Sequence, residues 1–104
     1  SLRLNKYNDN TTYNYAYFPI VVEKGDRDEL YDSLAKENIF ARKYFYPCTN
    51  AYECYSERFD ANETPIALDI SKKVLTLPIY PDLEEADVER ICDVIRRELW
   101  KQRT

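Results

Sequence analysis

The sequence predicts an α+β domain, a small sheet of about three to four strands covered on one face by helices. Three observations lead there. Residues 13–22, YNYAYFPIVV, are aromatic and β-branched, the composition of a strand. Val88, Ile91, Cys92, Ile95 and Leu99 recur at i, i+3, i+4, i+7 and i+11, the stripe of an amphipathic helix. Between these two, strand-like and helix-like segments follow one another in a chain of 104 residues, enough for one hydrophobic core but not two.

Residues 1–12, SLRLNKYNDNTT, end in an Asn- and Thr-rich cluster and read as the end of a preceding helix followed by a linker, with the domain itself at 13–104. The first strand covers 13–22. Pro19 has no N–H for a ladder, so this strand belongs at a sheet edge or carries a bulge. Gly25 closes the turn that follows. Asp26 and Glu29 have capping-box spacing, and Leu30 and Leu34 share a face, which predicts a helix over about 26–37. IFARKYFYP, residues 39–47, reads as a second strand ended by Pro47. Alternation places Phe40, Arg42, Tyr44 and Tyr46 on one face and Ile39, Ala41, Lys43 and Phe45 on the other. Residues 48–63 have no sustained period and form a long loop, a length often associated with function or with a neighbouring surface. Thr64 and Pro65 fit an N-cap and first helical position, and Ile66 and Ile70 follow at i, i+4, so a short helix runs to about Lys73. VLTLPIYP, residues 74–81, is a third strand broken by Pro78 and Pro81. Asp82 and Glu85 repeat the capping spacing before a final helix of about 17 residues, whose last turn carries Arg96, Arg97 and Lys101 against the dipole.

Composition excludes several chemistries. Fifteen Lys and Arg against nineteen Asp and Glu leave a net charge of -4, which disfavours a broad nucleic-acid or anionic-membrane surface. No apolar run approaches the roughly 20 residues that span a bilayer, and no signal-like start is visible, so a cytoplasmic protein is expected. Cys48, Cys54 and Cys92 contain no C-x-x-C pair and read as free thiols, not as a disulfide framework or a zinc site. Histidine is absent, removing the commonest general base and metal ligand. Gly25 is the only glycine, too few for a loop whose backbone cradles phosphate. Ten tyrosines against four phenylalanines give many aromatic surfaces a hydroxyl end, suited to the boundary between a core and something polar. In an isolated domain the aromatics of the first two strands would face water, or a partner.

Composition and periodicity stop at a tyrosine-rich α+β domain. The order of motifs goes further. YAYFPIVV (15–22), RDELYDSLAKENIFARKYFYP (27–47) and TPIALDISKKVLTLPIYPDLEEADVERICDVI (64–95) closely resemble the C-terminal domain of the DegT/DnrJ/EryC1/StrS sugar aminotransferases. The resemblance extends from Tyr13 to Leu99. It implies the small domain of a fold-type I enzyme that uses pyridoxal 5′-phosphate (PLP) to move an amino group, usually from glutamate, to a keto sugar carried on a nucleotide. In that family the lysine that forms the Schiff base lies in a large N-terminal domain. None of Lys6, Lys24, Lys36, Lys43, Lys72, Lys73 and Lys101 is therefore assigned to it. PLP is expected in the full-length enzyme, bound by the absent domain, and this fragment alone is expected to be non-catalytic. The implied partners are its own large domain, the nucleotide-sugar substrate and, at full length, a second copy in a homodimer, with no nucleic acid and no membrane.

By the same resemblance the segment 39–47 lines the substrate side near the domain boundary. Arg42, Tyr44 and Tyr46 are the candidate substrate-binding residues, and no catalytic, cofactor-binding or metal-ligating residue is expected in the chain. Relatives often carry His where Tyr44 stands. Tyr44 would hydrogen-bond a sugar hydroxyl or phosphate, and the Arg42 fork would pair with a nucleotide phosphate. The alternative makes both residues interdomain hydrogen-bonding groups. The competing function is a small nucleic-acid or protein interaction module, because basic and aromatic side chains alternate here as on stacking platforms. The acidic balance and the missing glycine-containing RNP pattern count against nucleic acid.

Overall fold

The computed structural model describes residues 1–103. Its elements are β1 (Leu2–Leu4), β2 (Phe18–Val22), α1 (Arg27–Lys36), α2 (Pro65–Ser71), β3 (Val74–Leu77) and α3 (Glu85–Arg103), with 3₁₀ turns at Thr49–Ala51 and Ala61–Glu63 in the long connection. The three strands form one antiparallel sheet in the order β1-β2-β3. Ile20 stands opposite Leu4 and Leu75, Phe18 opposite Leu77, and Val22 opposite Leu2. Cross-strand partners share a face, so these residues make one apolar surface. Over it pack Leu30 and Leu34 of α1 and Ile91, Val94, Ile95 and Leu99 of α3, with Ile39 and Ala41 completing the core. This is the predicted arrangement of helices over a small sheet.

The capping spacing sets the start of α1. The Asp26 carboxylate accepts from the N–H groups of Asp28 at 2.8 Å and Glu29 at 3.1 Å, satisfying donors that the first turn leaves without partners. The other half of the box comes from the far end of the chain: the Asp26 N–H donates to Gln102 Oε1 at 2.6 Å. Gly25 enters this turn at φ +125°, a conformation open to glycine and closed to residues with a Cβ. At the other end Asn38 adopts φ +62°. The N–H groups of Asn38 and Ile39 then return to Ala35 O and Leu34 O, a Schellman stop that turns Ile39 into the core. In α3 the buried stripe is rotated slightly from the expected one. Val94 is buried and Val88 exposed, and the helix starts after Glu84, whose carbonyl accepts from Asp87 and Val88.

Three expectations are corrected. Residues 1–12 do not end a helix: Leu2–Leu4 forms the edge strand β1 on β2, a conformation that the β2 ladder supplies. The first strand is confined to Phe18–Val22, and residues 13–17 carry no strand structure, with Tyr15 at φ +56°. The domain limits 13–104 end on Thr104, outside the described residues. The second strand, 39–47, does not form; its single bridge joins Arg42 to Thr76, with Arg42 N–H to Thr76 O at 3.0 Å and Thr76 N–H to Arg42 O at 2.7 Å.

The reason lies in the β3 edge. Antiparallel continuation would pair residue 44 with Val74 and residue 40 with residue 78. Pro78 has no N–H to give, and Val74 O already accepts from the Arg27 guanidinium at 3.1 Å. The ladder therefore stops at one bridge.

The domain leaves much of itself exposed. Its accessible surface of 8145 Å² is about a third larger than the roughly 6100 Å² typical of a folded 12.4 kDa monomer. The radius of gyration is 15.4 Å, against about 13 Å for a compact chain of this length. Tyr15, Tyr17, Phe40, Phe45 and Tyr46 are among the exposed aromatics, as expected for the two strand-like segments.

Candidate functional site

Arg42 is where the segment 42–48 is tied to the sheet. Its backbone pairs with Thr76, so its side chain leaves the sheet edge from a fixed point. From there Nη1 donates to the Tyr44 hydroxyl oxygen at 2.5 Å. The guanidinium carbon lies 5.5 Å from the Tyr44 ring centroid, and the hydrogen bond holds it at the hydroxyl end of the ring. Tyr44 is half-buried, edge-on to Tyr17 at 6.1 Å and stacked on Phe45 at 4.9 Å. The chemical result is an oriented phenol. With its oxygen accepting from a cation, the hydroxyl proton is free to be donated outward, and the remaining guanidinium N–H groups present a fork suited to an anionic oxygen pair.

Tyr44 stands between two hollows. The larger is an apolar cavity of about 630 Å³, with Tyr44, Phe45, Pro47 and Cys48 as one wall. Tyr55 and Phe59 of the long connection also line it, and Ser71 and Val74 at the α2–β3 corner form its base. Val74 alternates with Leu75 and so points away from the helix-covered face, toward this cavity. The smaller hollow, about 410 Å³, is bordered by Tyr31, Phe40, Arg42, Lys43 and Tyr44. Of the three predicted residues, Arg42 and Tyr44 are thus brought together on one edge. Tyr46 is half-exposed, with its ring 4.8 Å from the Arg27 guanidinium.

Beneath the segment lies a charge ladder. Asp28 Oδ1 accepts from Arg27 Nε and from Lys43 Nζ, each at 2.8 Å. The Lys43 ammonium, and then Arg27, hold the Asp28 carboxyl below the usual carboxylate range, against the opposing effect of partial burial. Lys43 also lies 4.6 Å from the Tyr31 ring centroid. Sequence reasoning missed Arg27, Tyr55 and Phe59 as parts of this region. A signal for Arg27 was present: a cation in the first turn of a helix opposes the dipole, so a tertiary partner was needed to account for it.

The larger cavity has no lysine in its lining, Lys43 is held by Asp28, and Lys73 is paired with Asp69 at 3.0 Å. Lys6, Lys24, Lys36 and Lys72 are exposed. Gly25, the one glycine, is occupied at the α1 turn.

A three-stranded antiparallel sheet under two packed helices, with a polar and aromatic segment crossing its free edge, defines a small α+β domain. Residues 2–96 match the DegT/DnrJ/EryC1/StrS aminotransferase family, and the chain belongs to that family. It is similar to the dTDP-4-amino-4,6-dideoxy-D-glucose transaminase of Escherichia coli, 43% identical over 93 residues, which cover 85% of this chain and 25% of the relative. Its fold matches that of the aminotransferase TlmJ from Streptoalloteichus hindustanus with a TM-score of 0.84 at 19% identity, covering 99% of this chain and 27% of that one. A Streptococcus pneumoniae protein solved in a PLP form gives a TM-score of 0.72 at 22% identity, over 82% of this chain and 22% of that one. The chain spans about a quarter of the length of the curated relative from Escherichia coli.

Proposed function

We propose that this chain is the C-terminal domain of a cytoplasmic, PLP-dependent aminotransferase that transfers an amino group from glutamate to a keto sugar linked to a nucleotide. The observation that carries the reading is the 43% likeness to a dTDP-sugar transaminase over a segment that contains the Arg42–Tyr44 pair. When held by the large domain, PLP supplies the electron sink for amino transfer. The part played by this chain is binding. The Arg42 fork pairs with a nucleotide phosphate, and the Tyr44 hydroxyl donates to a sugar hydroxyl or phosphate oxygen. Tyr46 lies in the same segment and adds contact surface. The excess exposed aromatic surface packs on the large domain, keeps water out of the boundary between the two, and leaves the full-length enzyme to act as a homodimer.

The test is a graft in which this chain replaces the corresponding quarter of the Escherichia coli relative. The chimera is expected to aminate a dTDP-linked 4-keto sugar with glutamate as donor. Arg42→Ala and Tyr44→Phe are expected to raise KM for the sugar nucleotide while KM for glutamate stays unchanged. A folded, PLP-loaded chimera inactive on nucleotide sugars would falsify the reading. For the isolated chain mixed with PLP, the expected result is no absorbance from lysine-bound cofactor; a band abolished by replacing one of its lysines overturns the assignment.

A further inference from the structure

Arg27 is 4% exposed and sits behind the 44–48 wall and the base of the larger cavity. Nη1 donates to Ser71 O at 2.8 Å and to Val74 O at 3.1 Å, the last residue of α2 and the first of β3. Both residues form the cavity base. The Tyr46 ring covers the same guanidinium at 4.8 Å, and Tyr46 lies between Phe45 and Pro47, both in the cavity wall. Nε is held by Asp28, which also takes Lys43 from the start of that wall. One cation therefore joins the first turn of α1, the α2–β3 corner and the segment 42–48. Arg27 takes Val74 O where a continued ladder would have paired residue 44, and residues 44–48 leave the sheet and form a wall instead of a fourth strand.

We infer that Arg27 is the positioning residue of this cavity: its guanidinium sets the spacing between the 44–48 wall and the Ser71–Val74 base, and with it the placement of Tyr44. The inference deepens the functional reading above and rests on it for the statement that the wall is on the substrate side. Arg27 touches neither the open cavity nor any reacting group, and acts through Tyr46 and the two carbonyls. Lysine cannot substitute for it. A single ammonium lacks the planar fork that reaches two carbonyls and a carboxylate together, and it offers no flat face to the Tyr46 ring.

Cys48 reports on the spacing because it is buried in this wall, whereas Cys92, half-buried on α3, reports on the helical core. The experiment measures modification of Cys48 and Cys92 by 5,5′-dithiobis(2-nitrobenzoate) in the full chain carrying Cys54→Ser, with each site read by peptide mass. Arg27→Lys is expected to speed labelling of Cys48 by about tenfold while Cys92 changes by less than about twofold, the signature of local opening. Tyr46→Leu keeps the carbonyl bonds of Arg27 and removes the ring, and is expected to raise Cys48 labelling selectively by a smaller factor. A parallel rise at both cysteines, or no rise at either, overturns the inference; should Arg27→Lys fail to fold, an unchanged Cys48 rate in Tyr46→Leu overturns it equally. In the grafted enzyme, Arg27→Lys is expected to raise KM for the sugar nucleotide with kcat retained. A Cys48-selective rise with KM unchanged supports the clamp and counts instead against the substrate-side reading.

Discussion

Gly25 offers the sharpest test of how this domain closes. It is the only glycine in the chain, it sits at φ +125°, and a Cβ built on it would lie 2.5 Å from Gln102 Oε1 and 3.3 Å from Leu99 Cδ2. Gly25→Ala therefore does two things. It forces an L-residue into a region that costs about 1–3 kcal/mol. It also pushes the Gln102 carboxamide off the Asp26 N–H, losing a hydrogen bond of about 0.5–1.5 kcal/mol. The alanine reduces the freedom of the unfolded chain, which offsets about 0.4–1 kcal/mol. The net loss is about 2 kcal/mol, or roughly 8–16 °C in Tm for a domain of this size. Thermal and urea unfolding followed by circular dichroism measure it. Because the nearest obstacle is the end of a flexible side chain, the same substitution in a Gln102→Ala background is expected to cost about 1 kcal/mol less, leaving only the backbone strain. A Gly25→Ala variant within about 0.5 kcal/mol of the parent would refute the reasoning, since surface changes without a special backbone usually fall in that range.

Three further outcomes are expected. Leu75→Ala, at a fully buried position in the middle of the sheet, lowers stability by about 2–5 kcal/mol in chemical denaturation, and a smaller loss would mean that the site collapses around the gap. Asp28 is held below the usual carboxylate range by Lys43 and Arg27, so its contribution is complete above about pH 4 and is lost as pH falls through the lower folded-state value. The stability gap between the parent and Asp28→Asn should then narrow on acidification below pH about 4, and a gap constant from neutral pH to about pH 3 would contradict the ladder. Tyr44→Phe breaks an exposed hydrogen bond and shifts stability by less than about 1 kcal/mol, as unfolding curves would register, so its effect in the graft belongs to binding.

How much was legible depends on how local each signal was. The α1 start is written in Asp26, because an N-cap is a side chain within a few residues of the backbone it satisfies, whereas the partner expected from Glu29 is supplied by Gln102 from the far end of the chain. The α3 stripe was visible for the same reason, with the error at Val88 arising because the helix rotates to place Val94 against the sheet. Two of the strand errors have a different origin. Leu2–Leu4 is too short for any period, and residues 39–47 have strand composition without a strand partner. For the candidate site, Arg42 and Tyr44 were found through the motif order. Arg27 was not, because its contacts are with residues 44 and 47 positions away along the chain.

The amino-acid sequence by itself determined the fold class, the two longer helices, the identity of the aromatic and basic segment, and the family to which these belong. Each rests on neighbours within one or two helical turns or on the linear order of motifs. The tertiary structure alone decided that ARKYFYP is a wall and not a strand, and that the last turn of α3 completes the cap of α1. Both outcomes are competitions for single backbone groups. Arg27 sits on Val74 O where a fourth strand would have paired, and Gln102 takes the Asp26 N–H left open beside the only glycine. Which donor wins such a group depends on what the fold has brought near it.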